Sequence, residues 1–384
     1  MTNQKMMPNQ MIGILGAGQL GKMLGQSAQK MGYKVAMYDT KEACGFGVSH
    51  QTMIGDFDDE KKVLDFARSV DSLTYEFENI NGQILNRLAD EDQFLQGNFL
   101  LLKSQHRLIE KEWLNDIGLE TVPFKKVSSA SDLTTALSEL GYPAVLKTCR
   151  FGYDGKGQVV IRNEAELNDL QEEIQAIIEQ EAILEAFCPF KFEASVIVSR
   201  NHAGDIECFP PTENIHREGI LAASINSSRL TDELKEKIVQ AGTKIAKEAN
   251  LIGVCGVELF VKENGSLVVN EVAPRPHNTG HYTIEACQLS QFDQHILALT
   301  NRPLIKPALL KPAISINILG QHMTMLEELM DTLPEALIHI YDKGEAKDQR
   351  KMGHFTILCD SEDELDEYLK STFIAQWLDL IGEE

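Results

Sequence analysis

From about its tenth residue the chain alternates short apolar runs with amphipathic stretches. In "QMIGILGAGQLGKMLGQSAQKMGYKVAMYD", Ile12, Ile14 and Leu15 form a brief apolar run. Leu20, Met23, Leu24 and Ala28 then recur at helical spacing, and a second run over residues 35–38 ends at Asp39. Apolar positions three and four apart predict a helix with one buried face, whereas short continuous runs predict buried strands. Strand, helix, strand is a βαβ unit, whose crossover favours a parallel sheet. "DFDDEKKVLDFARSV" predicts another helix, and "DSLTYEFENI" a strand with its terminal loop. A Rossmann-like N-terminal domain is therefore expected over residues 1–103.

Beyond this point the pattern changes. "SQHRLIEKEWLNDIGLETVPF" predicts a capped helix, a stop at Gly118 and an extended link, and "SASDLTTALSELGYPAVLKT" a helix, a Gly-Tyr-Pro turn and a strand. A glycine-rich loop, "CRFGYDGKGQVVI", follows. Then come a helical "EAELNDLQEEIQAIIEQ", strands at "AILEAF" and "EASVIVSR", and the long helix "DELKEKIVQAGTKIAKEANL". "GVCGVELFVKENGSLVVNEVAPRP" reads as a hairpin turned at Glu263-Asn264-Gly265. Residues 104–306 are expected to form a mixed α+β domain. Residues 307–384 read as a small strand-rich domain ending in the acidic helix "DELDEYLK". The whole is α/β in class.

Charge narrows the partners. Lys and Arg total 36 against 58 Asp and Glu, a net −22, which argues against broad binding to nucleic acid or anionic membrane. No apolar run approaches the length of a bilayer span. The polar first ten residues lack a signal-peptide pattern and read as a loose leader. The seven cysteines are scattered, odd in number and without a C-x-x-C pair; a reduced cytoplasmic protein without disulfides or a zinc cluster is expected.

Several motifs carry chemistry. Gly16-Ala17-Gly18-Gln19-Leu20-Gly21 matches G-x-G-x-x-G after a strand and before a helix, where backbone N–H groups can hold an anion. Asp39 stands roughly where a dinucleotide site places its ribose-binding acid, about 20 residues on. The alternative is glycines that only permit tight helix–sheet packing. Glu76, Glu78 and Asn79 end a strand, the place where ligands sit in open α/β sheets, or else occupy a solvated loop. In the hairpin, Glu258 lies across the turn from Asn270 and Glu271. Close carboxylates repel without a cation between them, and an all-oxygen set suits Mg²⁺ with substrate phosphates. The apolar neighbours Val257, Leu259, Val269 and Val272 speak against two merely exposed glutamates. The next loop, "NEVAPRPHNTGHYT", supplies Arg275, His277, Asn278 and His281. A guanidinium takes phosphate or carboxylate in bidentate fashion; with no cysteine or third histidine nearby in sequence, substrate binding is favoured over zinc. Lys147 stands between a strand and the glycine loop, placed for nucleotide phosphates. "YDKGEAKDQRKMGHF" gathers Lys343, Lys347, Arg350 and Lys351 in an acidic chain, either a second phosphate site or a solvated turn.

Together these parts, in this order, resemble the ATP-grasp superfamily. Through nearly the whole chain the sequence is similar to the biotin-independent carboxylases of purine synthesis, the N5-carboxyaminoimidazole ribonucleotide synthetases. The resemblance rests on "GILGAGQLGKML", "TYEFENI", "FGYDGKGQ", "NEVAPRPHNTGHYT" and "RKMGH". It implies phosphorylation of bicarbonate by ATP to carboxyphosphate, then transfer of the released CO₂ to the amine of 5-aminoimidazole ribonucleotide. It implies magnesium but no biotin, small-molecule substrates without nucleic acid or membrane partners, and a cytoplasmic homodimer. Gly152, Tyr153, Asp154, Gly155, Lys156, Gly157 and Gln158 would form a lid over the ATP phosphates, with Tyr153, Asp154 and Arg275 at the carboxylation chemistry. Arg107 and Lys147 would contact ATP. Glu185, Ala186, Phe187 and Cys188 would be the hinge strand that reads the adenine edge through its backbone. Glu193 would hold the ribose, with His216 near the nucleotide. Glu258, Asn270 and Glu271 would hold Mg²⁺. Gly18, Gln19, Leu20, Glu76, Asn79, His277 and Asn278 would shape the ribonucleotide site, and Arg275, Lys343 and Arg350 would face its phosphate. The chain departs from the family pattern at "KGEAKDQRK", where a proline-glycine turn is expected, and at the hinge "EAFC". The alternatives are another ATP-grasp carboxylate–amine ligase, a nicotinamide oxidoreductase using the 16–21 turn and Asp39, and a non-catalytic nucleotide-binding module.

Overall fold

The computed structural model describes residues 5–152, 156–226 and 230–379. Its first sheet is parallel: β1 (Met11–Leu15), β2 (Lys34–Asp39), β3 (Gln51–Ile54) and β4 (Ser72–Tyr75), in the order β3-β2-β1-β4. The Gln19–Lys30 helix makes the crossover from β1 to β2 and buries Leu20, Met23, Leu24 and Ala28. Ile12 and Ile14 pack with that buried face, while Leu15 packs on the other side with Tyr38, Phe66 and Leu73. Both faces of the sheet are covered, as parallel sheets require.

A second sheet is antiparallel and small. β5 (Phe124–Val127), β6 (Ala144–Thr148), β7 (Gln158–Ile161) and β8 (Ala182–Ala186) run in the order β5-β8-β6-β7. The Ala130–Leu140 and Gln171–Ile178 helices close its apolar face. The segment expected as one helix from "EAELND" onward is divided into a 3-10 turn at Glu164–Leu167 and the Gln171–Ile178 helix. The Asn163 side chain takes the N–H groups of Ala165 and Glu166, and local capping of this kind competes with a continuous helix.

The third sheet has nine strands: β9 (Phe192–Arg200), β10 (Ile206–Cys208), β11 (Thr212–Arg217), β12 (Ile220–Ile225), β13 (Gly253–Val261), β14 (Leu267–Ala273), β15 (Ala313–Leu319), β16 (Leu337–Ile340) and β17 (Lys351–Leu358). Their order is β14-β13-β9-β11-β12-β15-β17-β16, with β10 paired to β9. The Asp232–Glu248 helix covers the β13–β9 part through Leu234, Ile238, Ala241 and Ile245. The C-terminal strands continue this sheet, because β15 pairs with β12 in the register Ala223↔Ile316. Nor is "DELDEYLK" the last helix: Thr372–Asp379 follows, and Ile374 and Trp377 fill the core beneath β15 and β17. Three sheets and the basic loop before β17 thus surround one cleft of about 1040 Å³.

Candidate active site

The acidic corner comes from the β13–β14 hairpin. Glu258 pairs with Glu271, but Leu259 pairs with Val269, so Asn270 is an extra residue on β14. In a regular strand, neighbours face opposite ways; a bulge re-aims them. Asn270 and Glu271 therefore both border the cleft beside Glu258. Burial, then the charge of Glu271, pushes Glu258 up to about 7. Glu110, from the Arg107–Asp116 helix, joins them: its Oε1 accepts the Val272 N–H at 2.8 Å. Burial and Glu271 raise it to about 8. This concentration of carboxylate, with an amide oxygen alongside, fits a hard divalent cation bound together with phosphate.

A cationic wall faces this corner. Lys147 on β6 lies 2.8 Å from Glu185 on β8, and Lys111 reaches the other oxygen of Glu185 at 3.1 Å. The Lys111 and Glu185 side chains are only 2% and 4% exposed. Burial alone would raise Glu185; the two ammonium groups overcome it and hold the carboxyl down to about 2. Glu185→Gln leaves Lys111 in the interior without an anion and is expected to destabilise the protein by about 3–5 kcal/mol, read from chemical unfolding. Because its folded pKa is depressed, Glu185 contributes stability above the ordinary Glu range, and that contribution is lost as pH falls towards about 2.

The hinge is only partly at the cleft. Glu185 borders it, while Ala186 ends β8 and Phe187 and Cys188 continue beyond the strand. The N–H groups of Ala186 and Phe187 are already bonded to the carbonyls of Pro123 and Pro143. Nearby, Phe190 stacks face to face on Phe260, centroids 4.7 Å apart, and both rings border the cleft as a flat apolar wall suited to a base. Arg107 donates to the carbonyls of Thr148 (2.8 Å) and Gly152 (3.1 Å), pinning the base of the glycine loop. A Cβ on Gly152 would lie 2.7 Å from that guanidinium. Lys156 and Gln158 border the cleft, and Gly157 (φ +74°) is packed on Thr148. Tyr153, Asp154 and Gly155 lie outside the described residues. Glu193 and His216 approach to 3.2 Å beside Glu258. Burial pulls His216 down, but Glu193 and Glu258 outweigh it and raise its pKa.

At the other end of the cleft the first glycine motif proves to be a seat for the protein's own carboxylates. Asp39 accepts the Ala17 N–H (2.8 Å) and Glu76 the Gly18 N–H (2.6 Å). A Cβ on Gly16 or Gly18 would lie 2.8 Å from Glu76. These donors are what a dinucleotide pyrophosphate would need, so the nicotinamide alternative loses its anion site. Gln19 and Asn79 border the cleft, whereas Leu20 is in the core. Arg275 forms a 2.7 Å ion pair with Glu78. His277 bonds Thr279 (3.0 Å) and stands 3.8 Å from Glu258, with Asn278 alongside. Lys343, Lys347, Arg350 and Lys351 complete this rim. Burial, then Arg350, lowers the pKa of Lys343, whose ammonium donates to the Lys351 carbonyl. His281 is buried and stacked on His354, itself stacked on His339. Glu285, His339 and His354 converge, but the two rings are nearly parallel (12°), so their in-plane lone pairs do not meet at a common ion.

A curated relative from Bacillus subtilis (strain 168), N5-carboxyaminoimidazole ribonucleotide synthase, is 44% identical over 366 residues, 95% of each chain. The chain belongs to the N5-carboxyaminoimidazole ribonucleotide synthase family. The synthase of Staphylococcus aureus (strain MRSA252) is 46% identical over 363 residues, 94% of this chain and 96% of that one. Family models match at residues 9–98 (ribonucleotide synthetase preATP-grasp domain), 112–292 (ATP-grasp domain) and 313–368 (phosphoribosylaminoimidazole carboxylase C-terminal domain). A solved N5-carboxyaminoimidazole ribonucleotide synthetase with ADP superposes with a TM-score of 0.93 at 42% identity, covering 98% of this chain and 99% of that one. The Aspergillus clavatus synthase in complex with ADP and 5-aminoimidazole ribonucleotide superposes with a TM-score of 0.89 at 27% identity, covering 97% and 100%. The fold is that of an ATP-dependent ligase of this family.

Within the synthase frame, Glu110, Lys111, Phe190 and Phe260 are among the cleft residues that had no local signal in the sequence. Glu110 and Lys111 sit in a helix whose amphipathic pattern gives no reason to bury them. Both are almost fully buried, Glu110 at 3% and Lys111 at 2% exposed. A buried charge needs partners, and theirs come from β8 and β14.

Proposed function

We propose that this chain carboxylates 5-aminoimidazole ribonucleotide with bicarbonate and ATP, releasing N5-carboxyaminoimidazole ribonucleotide, ADP and phosphate. The observation that carries the reading is one cleft holding an acidic corner (Glu258, Asn270, Glu271), a strand lysine beside the glycine loop (Lys147) and, beyond them, a second cationic group (Arg275, Lys343, Arg350). An acidic corner and a separate cationic group in one cleft suit two phosphate-bearing ligands bound side by side. The Aspergillus clavatus relative, which binds ADP and 5-aminoimidazole ribonucleotide together, supports the pairing.

Bicarbonate is a poor electrophile. Its oxygen attacks the γ-phosphorus, the bond to ADP breaks, and carboxyphosphate forms. Carboxyphosphate gives CO₂ and phosphate; the exocyclic amine attacks the CO₂ carbon and loses a proton, leaving a carbamate. Lys147 neutralises charge on the transferred phosphoryl group, where most of the catalysis is electrostatics and positioning. Glu258, Glu271 and Asn270 would hold Mg²⁺, which when bound screens the phosphate oxygens. Arg275, Lys343 and Arg350 bind the ribonucleotide phosphate, and Gln19, Asn79, His277 and Asn278 line its path. Glu193 takes the ribose hydroxyls of ATP, and Phe190 on Phe260 supports the base. Tyr153 and Asp154 are assigned to the carboxylation step by motif, as is the Gly152–Gln158 loop as the lid that excludes water from the intermediate. A cytoplasmic homodimer is part of the same reading; among the described residues no helix is long and apolar enough to cross a membrane.

The test is ADP release with ATP, Mg²⁺ and bicarbonate, with and without 5-aminoimidazole ribonucleotide. Strong stimulation by the ribonucleotide, with carbamate formed in equal amount to ADP, is expected. Stimulation by an amino acid or formate, and none by bicarbonate, would instead point to another carboxylate–amine ligase.

A further inference from the structure

One buried polar network lies outside the cleft and is used by none of the steps above. Its members come from distant parts of the chain: Thr74 on β4, Gln96 in the segment leading out of the N-terminal sheet, His295 in the Gln291–Leu299 helix, Val254 on β13 and Pro274 after β14. Thr74 and His295 are 0% exposed and Gln96 is 7% exposed. The Val254 N–H donates to His295 Nδ1 at 3.2 Å, so Nδ1 is the acceptor and the ring proton stands on Nε2. His295 Nε2 lies 2.8 Å from Thr74 Oγ1 and donates to it. The Thr74 hydroxyl donates to Gln96 Oε1 at 2.5 Å, and Gln96 Nε2 donates to the Pro274 carbonyl at 3.0 Å. Every link has a defined direction, from the β13 backbone to the peptide that precedes Arg275. Burial holds His295 down to about 3, so the ring stays neutral and keeps its single proton. The backbone makes room for it: Gly253 has φ +108°, and a Cβ there would lie 2.7 Å from the ring.

The far end of this chain meets a second tie. Arg275 is held by Glu78, four residues after Thr74, at 2.7 Å. The Arg275 loop is thus fastened to the end of β4 twice, through its side chain and through the carbonyl before it. We infer that Thr74, Gln96 and His295 are positioning residues for the ribonucleotide site, holding the Pro274–Arg275 peptide so that the guanidinium presents to the substrate phosphate. This rests on the function proposed above. Half of the tie belongs to the N-terminal sheet and half to the nucleotide-binding sheet, so it also fixes the distance between the two walls of the cleft. Misplacing a binding group by about 1 Å costs on the order of a hundredfold in rate, which sets the scale for a fastening of this kind.

Thr74→Val keeps the shape of the side chain and removes both hydrogen bonds of the hydroxyl, whereas Thr74→Ser keeps them. In the full-length protein, Thr74→Val is expected to raise KM for 5-aminoimidazole ribonucleotide about tenfold or more while KM for ATP stays within about threefold. Thr74→Ser is expected to behave as wild type. In an Arg275→Lys background, Thr74→Val should add little, because contacting groups are not additive. Hydrogen–deuterium exchange of residues 274–281 in the ligand-free protein should rise in Thr74→Val and not in Thr74→Ser. The inference is overturned if Thr74→Val lowers the melting temperature without a selective change in ribonucleotide KM, or raises both KM values alike, or leaves exchange at 274–281 unchanged. Should the wild type show no response to the ribonucleotide at all, the functional reading fails, and the exchange experiment still decides whether the network holds the loop.

Discussion

Glu271→Gln is expected to lower kcat/KM by about a thousandfold while leaving the ligand-free protein at least as stable as the wild type. Loss of a charge that organises phosphoryl transfer removes several kcal/mol of transition-state stabilisation, and about 4 kcal/mol is a thousandfold. Stability moves the other way because Glu271 pairs with Glu258 across the hairpin and raises the pKa of both Glu258 and Glu110. Glutamine keeps the size and removes the repulsion. Steady-state kinetics over a Mg²⁺ titration, with thermal unfolding of the metal-free protein, separates the two effects. An active Glu271→Gln protein would sink the cation assignment. The same pair predicts a pH dependence. Glu258 holds a proton below about 7, and that proton competes with a cation. The Mg²⁺ concentration needed for half-maximal rate should therefore rise as pH falls from 8 to 6. In Glu271→Gln the pKa of Glu258 should drop towards the ordinary range, shifting this dependence to lower pH.

Arg275→Met is expected to be the most damaging change on the ribonucleotide side. The guanidinium is partly buried and ion-paired to Glu78, so its removal also strands that carboxylate. Truncating one partner of such a pair costs about 2–5 kcal/mol, or roughly thirty- to several-thousand-fold in binding. KM for 5-aminoimidazole ribonucleotide should rise by about that factor, with KM for ATP nearly unchanged, because in the proposed reading Lys147, not Arg275, serves the nucleotide phosphates. Arg275→Lys keeps the charge but loses the bidentate fork, and should fall between wild type and Arg275→Met. Equal losses for both substrates would remove Arg275 from the ribonucleotide phosphate site.

The sequence by itself determined whatever depends on neighbours a few residues apart. The strand–glycine–helix start follows from helical spacing at Leu20, Met23, Leu24 and Ala28. The Glu263-Asn264-Gly265 turn was enough to bring Glu258 across from the Asn270–Glu271 stretch, because a short hairpin leaves little freedom of register. Only the tertiary structure decided the rest. The glycine motif could have faced a cofactor; Glu76 and Asp39, brought in from later strand ends, occupy its N–H groups. The bulge that turns Asn270 to the same side as Glu271 depends on how β13 and β14 register, which an alternating pattern does not specify. Lys111 and Glu110 look like ordinary helix-surface residues until β8 and β14 arrive to pair with them. The strands after residue 307 look like a domain of their own, and join the central sheet because β12 offers them an open antiparallel edge. The physical reason is common to all of these. Propensity, capping and turn chemistry act over one or two turns of chain, whereas a buried charge or an open strand edge is satisfied by whichever partner the fold brings to it, here Glu78 to Arg275 across 197 residues of sequence.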